Sequence, residues 1–130
     1  PSLIINAVEE MLRYEGPVTF SGRIAVDDRE IAGCPMHKGQ SISVALGAAN
    51  YDPSLHNDPH KFDITREDID HVAFGGGRRY CLGAPLARLE AQVGVMALLD
   101  RLPNLRMPDQ ELVWKTVPGF RGLTQLIVEN

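Results

Sequence analysis

The sequence contains no long apolar run, only two cysteines and no excess of positive charge. No stretch approaches the roughly 18 apolar residues of a membrane-spanning helix, and residues 1–6 lack the basic start and apolar core of a signal peptide. Cys34 and Cys81 are too few for the disulfide framework of a small secreted protein, so a reducing, cytoplasmic location is predicted. The 13 basic residues are outnumbered by 17 acidic ones, and the net charge of −4 argues against nucleic-acid binding.

The overall composition is that of an ordinary globular chain. Hydrophobic residues make up 44% of the sequence and charged residues 23%. A chain of 130 residues can bury roughly two-thirds of the surface that it exposes when unfolded, so a core is expected. The sequence begins at Pro1 rather than at methionine, close to a strong helix pattern. We therefore expect it to belong to a longer protein, with residues 1–130 forming a single region.

A helix and a small sheet are predicted in the first fifty residues. Residues 7–14 are rich in helix formers, residues 6–9 resemble a capping box, and Gly16-Pro17 ends the helix. Beyond it, short β-branched runs separated by turn residues predict a small antiparallel sheet. The predicted strands are residues 18–20, 23–26, 30–32 and 41–46.

The second half of the chain combines an irregular segment with the strongest helix pattern. Residues 50–72 contain two prolines, three histidines and several aspartates and are predicted to form a loop. A helix is predicted from Pro85 to Pro103, with a stripe of apolar side chains that indicates a core-facing surface. That stripe comprises Leu86, Leu89, Val93, Met96, Leu99 and Leu102. Two short strands are predicted at residues 112–114 and 123–128.

The motif that carries chemistry stands directly before this last helix. It consists of Phe74, Gly77, Arg79, Cys81 and Gly83, with one or two residues between successive members. Glycines allow a sharp turn and a close approach to a ligand, and a helix N-terminus favours the thiolate form of a cysteine. The arginine supplies a cation suited to a carboxylate. A thiolate ligand beside a carboxylate partner indicates a flat, acidic, metal-bearing cofactor, and heme fits this description.

The pattern resembles the cysteine loop of the cytochromes P450, the heme-thiolate monooxygenases, and the match to Phe-x-x-Gly-x-Arg-x-Cys-x-Gly is complete. Residues 84–90 are similar to those of the soluble bacterial branch. Residues 10–13 match the Glu-x-x-Arg helix motif of the family, and residues 49–53 are similar to an Ala-Asn-Arg-Asp-Pro stretch. The resemblance implies an α+β chain that forms the C-terminal, heme-binding portion of a mainly α fold.

The resemblance also implies roles for individual residues. Cys81 would be the axial ligand of the iron of a non-covalently bound heme b. The other residues expected at the cofactor are Arg23, Phe74, Gly75, Gly77, Arg79, Leu82, Gly83 and Ala87. Within this set, Arg23 and Arg79 would pair with the propionates, and Phe74 would pack beside the cysteine. A substrate would meet Val18, Thr19, Phe20 and Phe120 at the edge of its pocket.

The resemblance implies a structural network around Glu10 and Arg13. The alternative interpretation of these two residues is a weak ion pair on the helix surface. The family has an arginine where this sequence has Tyr51, so Arg66 and Lys61 are the candidates for the third member. The distal helix that delivers protons to oxygen has no counterpart in these residues. The chain is therefore expected to be inactive by itself.

Three functions are compatible with these features. The first is a P450 monooxygenase acting on a small organic substrate, with electrons from a ferredoxin- or flavodoxin-type donor. The second is a non-enzymatic heme-binding module, and the third is an inactive truncated remnant. Without the rest of the fold, the apolar stripe of the last helix would be exposed, and self-association is expected.

Other residue patterns have weaker claims to a function. Residues 34–37, Cys-Pro-Met-His, supply two metal ligands, too few for a metal site. His56 and His60 are four residues apart, but Pro59 prevents them from sharing a helix face. Arg78 and Arg88 are either solvated or part of a basic face that docks an acidic electron donor.

Overall fold

The computed structural model describes residues 2–130 and contains three α-helices, four short strands and one 3-10 turn. The elements are α1 (Ile4–Glu15), β1 (Ser21–Ile24), β2 (Arg29–Ile31), β3 (Cys34–Met36), β4 (Ser41–Val44), α2 (Leu46–Ala49), the turn Gly77–Arg79 and α3 (Ala84–Arg101). Among residues 2–130, none of the helices combines the length and the apolar character needed to span a bilayer. The combination of helices with small antiparallel sheets agrees with the predicted α+β class.

The first helix starts earlier than the sequence predicts. It begins at Ile4, with Leu3 at the N-cap position and no side-chain cap, so the predicted capping box at residues 6–9 is wrong. The amide group of Asn6 instead donates to the carbonyl oxygens of Ile64 and Arg66, at 2.6 and 2.8 Å. Asn6 therefore ties α1 to the irregular segment, a tertiary contact that replaces the local one.

The four strands form two separate two-stranded antiparallel sheets and not the single sheet that the sequence predicts. β1 pairs with β4, with Arg23 opposite Ile42, and β2 pairs with β3, with Glu30 opposite Pro35. Residues 18–20 form no strand but make an isolated bridge, and Leu46 begins α2 rather than ending a strand. The sequence prediction also missed β3, because a proline inside a run is ordinarily a sign against a strand. At an edge position such as this, its missing N–H costs no ladder bond.

Irregular backbone makes up the remainder, as predicted for residues 50–72. The C-terminal segment contains isolated bridges from Arg106 to Glu129 and from Trp114 to Leu123, where two strands were predicted. A further bridge joins Val18 to Phe120 and holds this segment against the residues that follow α1. The tail therefore reaches the end of α1 although it lies a hundred residues away in sequence.

The last helix packs against α1 on one side and presents apolar side chains on the other. Leu86, Leu89 and Val93 keep 57–61% of their surface exposed, so the predicted core-facing stripe is not buried within this chain. The helix itself starts at Ala84 and ends at Arg101, close to the predicted limits. An exposed apolar surface of this kind favours association.

The buried residues lie around α1 and are unusually polar. The buried hydrophobic residues are small or medium in size, namely Ala7, Val8, Leu46, Ala73 and Ala84. The largest fully buried side chains are those of Arg13 and Glu10, with no more than 1% of their surface exposed. The centre of the chain is therefore an ion-pair network, and its energetics depend on how completely that network is hydrogen-bonded.

Gly16, at the end of α1, is a position where the fold leaves no room for a side chain. A Cβ atom there would lie 2.6 Å from the carbonyl oxygen of Leu12 and 3.3 Å from the Cβ of Ala73. We expect Gly16→Ala to lower the free energy of unfolding by about 2 kcal/mol, because overpacking at a tight site costs this much. Gly22→Ala is the control, since a Cβ there would meet nothing within 4 Å. Urea unfolding of both variants tests this, and equal midpoints would contradict it.

Candidate functional site

The cysteine loop is a tight turn held by backbone hydrogen bonds. The amide of Cys81 donates to the carbonyl oxygen of Phe74 at 3.0 Å and closes the loop. Gly75 and Gly77 have φ angles of +74° and +64°, in the left-handed region that glycine adopts without strain. Gly83 is the N-cap residue of α3, and the amide of Ala84 donates to the Cys81 carbonyl. The loop thus places Cys81 directly before a helix N-terminus.

The side chain of Cys81 is exposed and lines a cavity of about 260 Å³. One part of the cavity wall is apolar and is formed by residues such as Leu12, Ala73 and Phe74. The other part contains Arg23 and Arg79, which also line an adjoining cleft of about 910 Å³. A thiol, an apolar wall and two guanidinium groups therefore meet in one place.

The two arginines have no acidic partner in the described part of the chain. Arg23 donates to the Ser21 hydroxyl and to the Gly22 carbonyl, both neutral acceptors. Neither Arg23 nor Arg79 has a carboxylate within salt-bridge distance among residues 2–130. Two cations left without a counter-charge beside a thiol suit a ligand with carboxylates. A flat, dianionic, metal-bearing group such as heme fits this donor set.

Of the remaining residues predicted at the cofactor, Phe74 and Gly75 also line this cavity, whereas Gly77, Leu82, Gly83 and Ala87 do not. Leu82 is 97% exposed, Ala87 is half-buried on the first turns of α3, and a Cβ at Gly83 would lie 3.9 Å from the Cys81 sulfur. Phe74 is half-buried and its ring lies against Tyr80, with ring centres 6.3 Å apart. The structure thus brings Arg23, Phe74, Gly75 and Arg79 to one cavity with Cys81, and the other predicted residues stay a prediction.

The predicted network around Glu10 and Arg13 is buried and is not a surface pair. Arg13 donates from Nε and Nη2 to the two carboxylate oxygens of Glu10 at 2.7 and 2.9 Å, and from its two Nη atoms to three backbone carbonyls. Burial by itself raises the pKa of Glu10. The hydrogen bonds from Arg13, from the Asp63 amide and from Arg66 outweigh that effect and leave the pKa below its ordinary value. Glu10 is therefore a carboxylate that holds structure.

Arg66 is the third member of this network. Its Nε lies 3.1 Å from Glu10 Oε1, and its Nη atoms donate to backbone carbonyls of residues 57, 58 and 61. The other candidate, Lys61, directs its ammonium group to Asp63 at 2.8 Å. Tyr51, which stands where the family has arginine, donates its hydroxyl to the Tyr14 carbonyl at 2.6 Å. The irregular segment is thus fixed to α1 by Arg66.

The four residues predicted at the substrate edge are neighbours in space. Val18 and Phe120 are bridge partners, and the Thr19 amide donates to the Gly119 carbonyl at 2.9 Å. The Phe20 ring lies so close to Gly119 that a Cβ there would be 3.3 Å from it. Phe20 and Phe120 are 46% and 60% exposed, so they form an open apolar rim.

The structure gives no support to a metal site at the weaker candidate residues that it describes. Cys34 is exposed in β3, and the part of the chain described contains no group of three or more His, Cys, Asp or Glu side chains able to hold a metal ion. His56 is buried while His60 is exposed. Arg88 is half-buried and forms a two-pronged ion pair with Glu9.

Glu9 and His71 are site residues that the sequence analysis missed. His71 Nε2 lies 3.0 Å from Glu9 Oε2, and Arg88 donates to the Tyr80 hydroxyl at 2.9 Å. These contacts join α1, the irregular segment, the cysteine loop and α3. No signal in the sequence could have found them, since the partners are up to 79 residues apart and only the fold brings them together.

The family model described as Cytochrome P450 matches residues 3–124.

The chain belongs to the cytochrome P450 family.

Bacterial P450s are among its most similar relatives. The biotin biosynthesis cytochrome P450 of Bacillus subtilis is 46% identical over 128 residues, which are 98% of this chain and 32% of that protein. The cytochrome P450 monooxygenase PikC of Streptomyces venezuelae is 46% identical over 96% of this chain and 31% of its own length. The chain thus spans about a third of the length of these relatives.

Solved P450 structures share the fold. P450BioI, in complex with an acyl carrier protein ligated to hexadec-9Z-enoic acid, superposes with a TM-score of 0.92 at 45% identity, over 98% of this chain and 33% of its own. The Bacillus subtilis P450 PksS gives 0.93 at 38% identity, over 98% and 34%. The observed arrangement is therefore a partial P450 fold, and the family implies a heme-thiolate cofactor.

His56 gives the folded chain a pH dependence of its own. It is 4% exposed, and its pKa lies below the ordinary value because of burial and then of the charges of Arg13 and Arg66. The unfolded chain therefore binds a proton more readily, and the stability contributed by neutral His56 is complete above about pH 6.5. It is lost as the pH falls below 6.5 toward the lowered pKa, with a slope of at most about 1.4 kcal/mol per pH unit.

Urea unfolding between pH 7.5 and 5 measures this slope. His56→Gln is expected to flatten it, and His60→Gln, at an exposed position, is expected to leave it unchanged. A slope that survives His56→Gln would show that another group is responsible.

Proposed function

We propose that this chain is the C-terminal, heme-ligating part of a bacterial-type P450 monooxygenase, and that Cys81 is the axial ligand of a non-covalent heme b. The observation that carries the proposal is the meeting of an exposed thiol with two arginines that lack acidic partners in the described residues. Structural thiols are ordinarily buried in apolar surroundings and are inert. Cys81 instead opens onto a cavity that it shares with two arginines.

Each residue of the site has a separate task in this proposal. Arg23 and Arg79 hold the propionates, and Phe74, Leu82 and Ala87 provide apolar contact for the ring. Gly75 and Gly77 allow the turn that brings the sulfur to the surface, and Gly83 is the N-cap residue of the helix that follows. When bound, the heme-thiolate would supply reductive activation of dioxygen for oxidation of a C–H bond.

The substrate in this proposal is a small organic molecule that meets Val18, Thr19, Phe20 and Phe120. The support is the open apolar rim that these residues form. One solved relative was captured with an acyl carrier protein bearing a fatty acid, which is in keeping with an apolar substrate. Electrons come from a ferredoxin- or flavodoxin-type donor, for which exposed Arg78 in the turn before Cys81 is a candidate contact.

The test of this function is heme uptake by the 130-residue chain. Hemin is titrated into the purified chain, and the reduced complex is exposed to carbon monoxide. We expect saturable binding and the red-shifted Soret band of a thiolate–iron–carbonyl unit. A carbonyl band at the position typical of histidine or weak ligands, or no saturable uptake, would contradict the proposal. Arg79→Ala should weaken uptake by roughly tenfold, the value of one charge-assisted pair.

A further inference from the structure

Four hydrogen-bonded side chains beside the cysteine loop have no role in the function proposed above. They are Glu9 of α1, His71, Tyr80 and Arg88 of α3, and we refer to them as the Phe74 clamp. Arg88 donates to both carboxylate oxygens of Glu9, at 2.7 and 2.9 Å, and from Nη1 to the Tyr80 hydroxyl at 2.9 Å. Its three donor groups are thus directed at two partners from different segments of the chain.

The histidine of the clamp is fixed in one tautomer. Its Nδ1 accepts a hydrogen bond from the Ala73 amide, at 3.2 Å, so the ring hydrogen is on Nε2. That Nε2 lies 3.0 Å from Glu9 Oε2 and donates to it. Only 2% of the His71 side chain is exposed, against 20% for Glu9. The carboxylate therefore accepts from two sides and holds Arg88 in a single orientation.

Three side chains of the clamp lie next to the Phe74 ring. The central guanidinium carbon of Arg88 lies 4.7 Å from the centre of the Phe74 ring, a cation–π distance. The rings of Tyr80 and His71 lie 6.3 and 6.1 Å from it. The Phe74 carbonyl in turn accepts the hydrogen bond from the Cys81 amide. Phe74 is therefore held at its ring by the clamp and at its carbonyl oxygen by the Cys81 amide.

We propose that Arg88, oriented by Glu9, is a positioning residue that holds Phe74 and through it keeps Cys81 in the ligating conformation. The proposal rests on the proposed function only in taking Cys81 as the heme ligand. The alternative role of Arg88, attraction of an acidic electron donor, requires an uncompensated charge. Its charge is already compensated by Glu9, whereas Arg78 has no salt-bridge partner within residues 2–130 and remains available.

The first test needs no cofactor and uses amide hydrogen exchange of the 130-residue chain. In Arg88→Gln, the exchange rate of the Cys81 amide should rise at least tenfold, because the loop opens more often. The Ala25 amide, bonded to the Gln40 carbonyl in the sheet region, should keep its rate. Arg78→Gln is the matched control and should change neither rate. An unchanged Cys81 amide in Arg88→Gln would overturn the proposal.

Two further variants separate positioning from general loss of stability. If Arg88→Gln raises exchange at Ala25 as well, the comparison is repeated with Arg88→Lys, which keeps the charge but cannot span Glu9 and Tyr80 together. A rise confined to the Cys81 amide supports the proposal, and an equal rise at both amides overturns it. In a Phe74→Leu background, Arg88→Gln should add less than a twofold change, since the effect passes through the ring.

The second test uses the heme-loaded chain. The fraction of the carbon monoxide complex that shows the thiolate band should fall by at least half in Arg88→Gln and stay unchanged in Arg78→Gln. A thiolate fraction equal to that of the unsubstituted chain would overturn the proposal. If the unsubstituted chain itself shows no thiolate band, the proposed function fails, and the exchange measurement alone decides whether Arg88 positions the loop.

Discussion

Cys81→Ala is expected to abolish the thiolate–carbonyl band of the heme-loaded chain completely. The cavity beside Cys81 is lined by Phe74, by other apolar residues and by two arginines, and Cys81 contributes its only thiol. Removal of the sulfur leaves no soft anionic ligand for the iron, while Arg23 and Arg79 can still attract the propionates. Weak heme uptake is therefore expected to persist without the red-shifted band. The measurement is the carbon monoxide difference spectrum of the reduced complex.

The second cysteine supplies the matched control. Cys34 is exposed in β3, outside the cavity that contains Cys81, so Cys34→Ala should keep the full thiolate band. If Cys34→Ala removed the band, the heme ligand would be Cys34 and not Cys81. If both single variants kept the thiolate band, either thiol could bind the iron. The proposal that Cys81 is the specific ligand would then be refuted.

The cysteine loop was predictable from sequence because its geometry is local. Gly75 and Gly77 adopt left-handed backbone angles, and the Phe74 carbonyl is bonded to the Cys81 amide only seven residues away. Spacing alone therefore contains the information about this turn. The last helix was predictable for the same reason, since its limits are set by Pro85 and Pro103 near its two ends.

The rest of the site depends on contacts between distant segments. The sequence pattern at residues 6–9 indicated a capping box, but Asn6 bonds to carbonyls 58 and 60 residues away. Glu9 stands next to Glu10 in sequence, yet one binds Arg88 of α3 and the other binds Arg13 and Arg66. The helix turns adjacent residues to different neighbours. Which neighbour each one meets is decided by the fold.

The buried ion pair of α1 is the point at which one substitution should cost the most stability. Arg13→Ala is expected to lower the free energy of unfolding by about 3–5 kcal/mol, because it leaves the Glu10 carboxylate buried with only part of its compensation. It also removes the arginine donor for the carbonyls of residues 50 and 59 and one of the two donors for the carbonyl of residue 61. In a chain with so few buried apolar side chains, such a loss is expected to unfold most of the population. Circular dichroism with urea titration measures it.

An exposed pair of the same chemistry serves as the comparison. Arg29 and Asp27 form an ion pair in which both side chains are more than half exposed. Arg29→Ala should leave the free energy of unfolding almost unchanged, because solvent-exposed ion pairs contribute little to stability. The contrast isolates burial, because both pairs join an arginine to a carboxylate of nearby sequence. Equal effects of the two substitutions would mean that the Glu10 network is hydrated in solution. The attachment of residues 50–66 to α1 would then have to come from contacts outside this network, such as those of Asn6.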